Sequence, residues 1–169
     1  MVIYQMGALK AFCDVSGVKL QHVKPHGAMY NMAGKDEKLA LAIAEAVQAV
    51  DPSLILLGLS GSKMIDMGER LGLRCAREVF ADRAYQDDGS LVPRSQPGAV
   101  ITDEDVAVAR VIRMVKDGCV ESITGHVIPV KADSVCLHGD NPKAVAFAQR
   151  IRAALQQEGV VITPMARLL

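Results

Sequence analysis

The sequence predicts an α/β fold built from parallel β/α units. Segments with helical apolar spacing alternate along the chain with short runs of β-prone residues. The run 54–57 is continuously apolar, which is typical of a strand buried on both faces of a parallel sheet. Right-handed crossovers would join such strands, either in an open sheet or as an arc of a barrel. Without a repeat or linker, residues 1–169 are expected to form a single domain.

The first half of the chain predicts three helices and two strands. Apolar residues from Val2 to Phe12 recur at helical spacing, and Asp51-Pro52 ends a second helical pattern. The opening pattern has no N-cap in front of it, which indicates preceding sequence. In chain order we predict a helix up to Gly17, a strand at 20–23, a loop at 24–27, a helix at 36–50, a strand at 54–57 and a helix at 63–71.

The second half begins with a strand and continues into the longest irregular stretch, which is rich in Asp, Gly, Ser and Pro. Thr102 and Asp105 resemble a capping box, and Asp140 with Pro142 opens the final helix. In chain order we predict a strand at 74–80, a helix from Thr102 to Gly118, a hairpin centred on 124–126, a strand at 134–137, a helix from Asp140 to Gly159 and a strand at 160–163.

Composition excludes several classes of protein. Lys+Arg and Asp+Glu both number 19, so no basic excess favours nucleic acid or an anionic membrane. No apolar run approaches the ~20 residues of a membrane span, and the N-terminus lacks a signal-peptide layout. We therefore expect a cytoplasmic location. The four cysteines are scattered without a Cys-x-x-Cys pair, so buried free thiols are expected rather than a zinc or redox site.

Polar residues follow the predicted strands at the points where ligands of parallel α/β proteins bind. Lys24 and His26 follow the first strand, Asp82 follows the third, and His138 follows the strand before the last. His26 could act as a general base, an electrophile or a metal ligand, or could brace its loop. Lys24 could polarise a carbonyl or be a solvated charge. His138 is also a candidate functional residue.

Each of the other candidates also has a structural interpretation. Asp82 and Arg83 form either an ion pair that braces the long loop, or an acid and a carboxylate clamp. Asp140 is explained by helix capping. Tyr30 and Asn31 could hydrogen-bond a small polar substrate, although Asn31 could be a turn residue. The segment 60–62 could form an anion-binding loop at a helix start, but helix capping alone explains it. The histidines at 22 and 126 are interpreted as structural or exposed.

These motifs resemble one known family. Lys-Pro-His-Gly-Ala-Met-Tyr-Asn at 24–31 is similar to the LamB/YcsF signature, with Met29 in place of Leu. Three further segments recur in the order of that family, at 78–85, 96–101 and 136–140. The resemblance covers essentially the whole chain, but family members begin with an additional segment carrying Asn-x-Asp-x-Gly-Glu, Gly-Phe-His and His-Pro motifs, none of which is present.

The resemblance implies component A of an ATP-dependent bacterial 5-oxoprolinase, which works with subunits B and C to open the lactam of 5-oxo-L-proline to L-glutamate. The implied fold is an irregular seven-stranded β/α barrel of the polysaccharide-deacetylase type, incomplete here at the N-terminus. A divalent metal is possible in the complete protein, and exposed strand edges favour a homo-oligomer. By resemblance, the cleft residues are Lys24, His26, Tyr30, Asn31, Asp82, Arg83, His138 and Asp140.

Lactam hydrolysis needs a polarised carbonyl, an activated water and protonation of the departing nitrogen. We expect Lys24 to polarise the carbonyl, His26 or His138 to act as base or acid, and Arg83 to bind the substrate carboxylate. The chain has no nucleotide loop, so ATP is expected to be used on a partner subunit. Two alternatives stay open: a metal-dependent deacetylase-like amide hydrolase, suggested by the barrel alone, and a catalytically silent truncated fragment or binding module.

Overall fold

Parallel strands alternate with helices in the computed structural model, which describes residues 1–139 and 144–168. The predicted α/β class with parallel strand pairing is confirmed; the incomplete barrel stays a prediction. Residues 1–77 and 78–168 form two compact units, and the single domain likewise stays a prediction. Among the described residues, none of the helices combines the length and apolar character needed to cross a membrane.

The first unit contains four helices and the first strands. The elements are α1 (Val2–Val15), β1 (His22–Val23), α2 (Gly27–Lys35), α3 (Glu37–Val50), β2 (Ile55–Leu59), α4 (Lys63–Arg70) and the start of β3 (Arg74–Phe80). Every predicted helix and strand of this half is present. Helix α2 was not predicted: it begins directly after the Lys-Pro-His loop, so Asn31 is a helical residue rather than a turn residue.

Helix α3 and strand β2 form the core of the first unit. Asp36 caps α3 by accepting hydrogen bonds from two first-turn N–H groups, and the helix buries Ile43 and Val47 along one face. All five residues of β2 are buried, as its continuous apolar run predicts. β1 pairs in parallel with β2, with His22 opposite Ile55, so both strands point their C-terminal ends the same way.

The second unit contains the end of β3, the long irregular stretch, a hairpin and two helices. Its elements are α5 (Glu104–Lys116), β4 (Cys119–Glu121), β5 (Val127–Pro129), β6 (Ser134–Cys136), α6 (Ala144–Gln157) and a 3-10 turn (Met165–Arg167). β4 and β5 form the predicted antiparallel hairpin, and residues 78–80 of β3 pair in parallel with β6. Helix α5 packs against α6 and against β4.

Two predictions for the second unit are wrong. The N-cap of α5 is Asp103, which accepts from the N–H groups of Asp105 and Val106, so Thr102 does not begin a capping box. The segment 160–163 forms no strand, because a β-prone run without a paired neighbour has no ladder of hydrogen bonds to hold it extended. The predicted start of the last helix, Asp140 and Pro142, lies outside the described residues.

Candidate functional site

The paired ends of β3 and β6 bring together two of the predicted site residues, Asp82 and His138. Phe80 lies opposite Cys136 in the parallel register, and Ala81 N–H continues the ladder by donating to the Cys136 carbonyl at 3.0 Å. Asp82 and His138 each lie two residues beyond that last pair. Since parallel strands advance in the same direction, equal offsets place the two side chains next to each other.

The His138 imidazole is hydrogen-bonded to the Asp82 carboxylate. His138 Nδ1 lies 2.7 Å from Asp82 Oδ2 and 3.0 Å from Oδ1. The two side chains are only 23% and 15% exposed, so the interaction is partly shielded from water. The Phe80 ring stacks on the imidazole, with ring centroids 5.8 Å apart and an interplanar angle of 27°. The carboxylate and the phenyl ring thus fix the position and the tilt of the histidine.

This geometry sets the proton arrangement on His138. An ionised carboxylate can only accept hydrogen bonds, so Nδ1 must carry the hydrogen. The neutral ring then carries its lone pair on Nε2, which can take a proton from water or a substrate, and the carboxylate stabilises the imidazolium that results. The arrangement is that of an oriented general acid/base.

Arg83, the neighbour of Asp82, is engaged in the fold rather than open to a ligand. The residue is 6% exposed, and its guanidinium donates to the carbonyls of Val92 at 2.6 Å and Ala99 at 3.3 Å. Burial and then the charge of Arg94 lower the pKa of Arg83. Arg83 thus braces the long loop through these backbone carbonyls rather than through the predicted ion pair with Asp82, which contacts His138 instead.

Tyr85 supports the end of β3 in the same region. Its hydroxyl oxygen accepts a hydrogen bond from the Phe80 N–H at 2.8 Å, and the side chain is fully buried. Burial raises the pKa of Tyr85 well above its ordinary value. This hydrogen bond holds Phe80 at the end of β3, and the Phe80 ring in turn stacks on the His138 imidazole.

In the first unit, the predicted residues of the 24–31 motif surround the start of α2. His26 is the N-cap residue of α2 and is exposed, and Lys24 Nζ lies 5.4 Å from the centroid of the buried Tyr30 ring. Lys24 and His26 line a cavity of about 560 Å³ together with apolar side chains such as Met6. A cavity of this size accommodates a small ligand.

Two predicted substrate-binding residues, Tyr30 and Asn31, do not line this cavity. The Asn31 side chain is exposed and donates to the Gly27 carbonyl one turn back at 3.2 Å, outside the cavity lining. Tyr30 is 4% exposed and contributes its ring face to Lys24 rather than a surface hydroxyl. Asp140 lies outside the described residues.

A second histidine–aspartate pair joins the hairpin to the long loop. His126 Nδ1 lies 3.1 Å from Asp87 Oδ2, and the side chains are 73% and 48% exposed. Hydrogen bonds from Ser122, then Thr124 and His126, lower the pKa of Asp87 to about 2. This exposed pair matches the structural or solvent-exposed interpretation of His126, and it supplies a matched control for the shielded pair.

The described residues do not assemble a metal site. Within 1–139 and 144–168, no three His, Cys, Asp or Glu side chains lie close enough to hold an ion. Asp82 and His138 supply two donors, whereas catalytic zinc sites use three protein ligands. We therefore derive no step through a metal.

Comparison with known proteins identifies the family of the chain. The model of the LamB/YcsF family matches residues 1–169. The chain belongs to the LamB/YcsF family. A relative from Clostridium beijerinckii, named as the A subunit of 5-oxoprolinase, is 57% identical over 168 residues, which are 99% of this chain and 66% of that relative. The protein of the same name from Pyrococcus horikoshii is 53% identical, over 97% of this chain and 64% of its own length.

A solved structure shares both sequence and fold. The lactam utilization protein from Thermus thermophilus is 46% identical, with a TM-score of 0.84 over 95% of this chain and 64% of that protein. The LamB/YcsF chain described here thus spans just under two thirds of the length of the relatives it matches.

Sequence reasoning did not identify the groups that hold the pair in place. Phe80 and Tyr85 both lie within the 78–85 motif, but their aromatic character alone indicates core packing. The structure shows that the Phe80 ring stacks on His138 and that the Tyr85 hydroxyl accepts a hydrogen bond from the Phe80 N–H. The stacking contact depends on the register of β3 and β6, which the sequence does not give.

Proposed function

We propose that this chain forms component A of an ATP-dependent 5-oxoprolinase, which opens the lactam of 5-oxo-L-proline to L-glutamate together with subunits B and C. The names of the relatives support this substrate and reaction. The observation in the structure that carries the proposal is the shielded Asp82–His138 pair, because opening a lactam requires a group that can both take and return a proton.

In the proposed reaction, His138 Nε2 takes a proton from the attacking water, and the water oxygen bonds to the lactam carbonyl carbon. The C–N bond then breaks, and the imidazolium returns the proton to the departing nitrogen, so one water is consumed for each ring opened. Asp82 keeps Nδ1 protonated and stabilises the transient positive charge. ATP, used on a partner subunit, would transfer its γ-phosphoryl group to the lactam oxygen and leave ADP. Ring opening would then give an acyl phosphate, and a second water would release phosphate and the free carboxylate of glutamate.

Two residues of the first unit complete the list of proposed catalytic groups. Lys24 has an ammonium group that can polarise a carbonyl, and its position over the Tyr30 ring restricts its side chain. His26 is exposed beside the cavity at the start of α2 and is proposed for a second proton transfer. Arg83 and Asn31 are left out, since both donate to backbone carbonyls.

The experiment is to measure glutamate release from 5-oxoproline and the coupled ATP hydrolysis, with and without subunits B and C. The chain is tested as it is and as a chimaera that carries the additional segment of the Clostridium beijerinckii relative. We expect ATP-dependent glutamate release in the presence of both partners. Absence of release by the chimaera with both partners would contradict the proposed substrate, and release without partners would contradict the proposed dependence on subunits B and C.

A further inference from the structure

The cavity that Lys24 and His26 line in the first unit has mostly apolar walls. Its volume is about 560 Å³, and eight of its twelve lining residues are apolar. All twelve lie within residues 1–77, so the cavity belongs to one compact unit. Leu9, on the α1 wall, is 54% exposed, so this wall presents apolar surface to water. A concave apolar surface with a few polar groups is typical of a small-molecule site.

The polar groups of this cavity favour an anion. All of its lining residues lie in the described part of the chain, and they include one lysine, Lys24, but no Asp, Glu or Arg. The Lys24 ammonium group lies over the Tyr30 ring, 5.4 Å from its centroid, which restricts the position of the charge. His22 and His26 add imidazoles whose N–H groups can donate hydrogen bonds. The sequence from 15 to 35 contains no acid, so no carboxylate of this segment opposes a bound anion.

We propose that this cavity binds a monocarboxylic acid with an unbranched apolar chain. The carboxylate pairs with the Lys24 ammonium group, and the chain lies along the α1 wall between Val2 and Leu9. A helix rises about 1.5 Å per residue, so this wall is about 10 Å long. An extended chain advances about 1.2 Å per bond, so the wall accommodates about eight carbons. Binding of such an acid does not rest on the proposed function.

The length of the apolar chain sets the affinity in this proposal. Each CH₂ group that is fully removed from water tightens binding by about fourfold. The α1 wall stays partly open to water at Leu9, so we expect about two- to fourfold for each CH₂ group. Hexanoate should therefore bind about 4- to 15-fold more tightly than butyrate, and octanoate should exceed hexanoate by a similar factor. An anion held by charge alone would show no such dependence on chain length.

The test is an NMR titration of the full chain labelled with 13C at its methionine methyl groups. Met6 and Met29 line the cavity, whereas Met32 is exposed on α2 and Met165 lines another cavity, in the second unit. Sodium butyrate, hexanoate and octanoate are added separately, with hexylammonium chloride as the cationic control. We expect saturable shifts of the Met6 and Met29 methyls, with Kd falling along the series and no saturation by hexylammonium. Equal Kd values along the series, saturation at Met165 instead, or equal affinity for hexylammonium would overturn the proposal.

Two pairs of variants separate the charge from the apolar wall. Lys24→Met should raise the Kd for hexanoate about three- to tenfold and leave the Kd for uncharged 1-hexanol unchanged. Its control is Lys10→Met, at an exposed lysine of α1 that is paired with Asp14.

Leu9→Gln should raise the Kd for both hexanoate and 1-hexanol about two- to fourfold, because it replaces apolar wall with an amide. Its control is Phe12→Gln, at an exposed position of α1 outside the cavity lining. Both control variants should bind hexanoate like the unmodified chain. Unchanged hexanoate binding in Lys24→Met would overturn the assignment of the anion site, and unchanged binding in Leu9→Gln would overturn that of the apolar wall.

Discussion

Replacing Asp82 with Asn tests whether the carboxylate orients the His138 imidazole and stabilises its imidazolium form. The substitution keeps the size of the side chain but removes the charge from a hydrogen bond of 2.7 Å. Hydrogen bonds to charged groups contribute about 1.5–3 kcal/mol, which corresponds to a loss of about 10- to 150-fold in kcat/KM. The Asn amide can also donate to Nδ1, which would move the ring hydrogen to Nε2 and raise the loss toward ~10⁴-fold, the upper range for a general base.

The assay is kcat/KM for glutamate release, with thermal unfolding measured on the same preparations. We expect a stability change below about 1 kcal/mol, because the pair retains partial access to water. Asp87→Asn is the matched control, since Asp87 contacts the exposed His126 in the same unit. Equal kcat/KM values for the two variants would refute the reasoning, as would a loss of activity explained by unfolding.

Three further predictions concern stability. Tyr85→Phe should lower the free energy of unfolding by about 1–3 kcal/mol in urea titrations, because it leaves a buried backbone N–H without its acceptor. Gly68→Ala should lower the free energy of unfolding by about 1–3 kcal/mol, since the new Cβ would lie 2.6 Å from Cys75 Sγ. Its control, Gly7→Ala, has open space around the new Cβ in α1 and should raise the free energy of unfolding by about 0.5–1 kcal/mol. The pKa of Asp87 is lowered to about 2, so the stability that its carboxylate contributes is complete above about pH 4, near the ordinary pKa, and is lost as the pH falls through 2. A carboxyl NMR titration measures this pKa, and an ordinary value would contradict the prediction.

Apolar periodicity predicted most of the fold because it reports directly which face of an element is buried. The strand at β3 and the hairpin formed by β4 and β5 lie where the pattern places them. Helix α2 escaped prediction because its sequence has two glycines and buries only Tyr30 and Ala33. Such a short helix is stabilised by packing against α3 and α4 rather than by its own propensity.

The candidate site was only partly accessible from the sequence. Strand ends indicated Asp82 and His138 separately, but their contact depends on the register between β3 and β6, which pairs segments 56 residues apart. The role of Arg83 depends on two carbonyls of the long loop, and an irregular loop has no periodicity from which to predict such contacts. The cavity that Lys24 shares with Leu9 likewise depends on tertiary packing alone.

The most direct test of the central claim compares His138→Gln with His126→Gln in the reconstituted 5-oxoproline assay. Both substitutions remove an imidazole next to an aspartate in the same unit, but only His138 is shielded and stacked on Phe80. We predict that His138→Gln lowers kcat by about 10²- to 10⁴-fold, the range for loss of a general acid/base, while His126→Gln stays close to the unmodified chain. Equal kcat values for His138→Gln and the unmodified chain would contradict the assignment of His138 as the proton-transfer group.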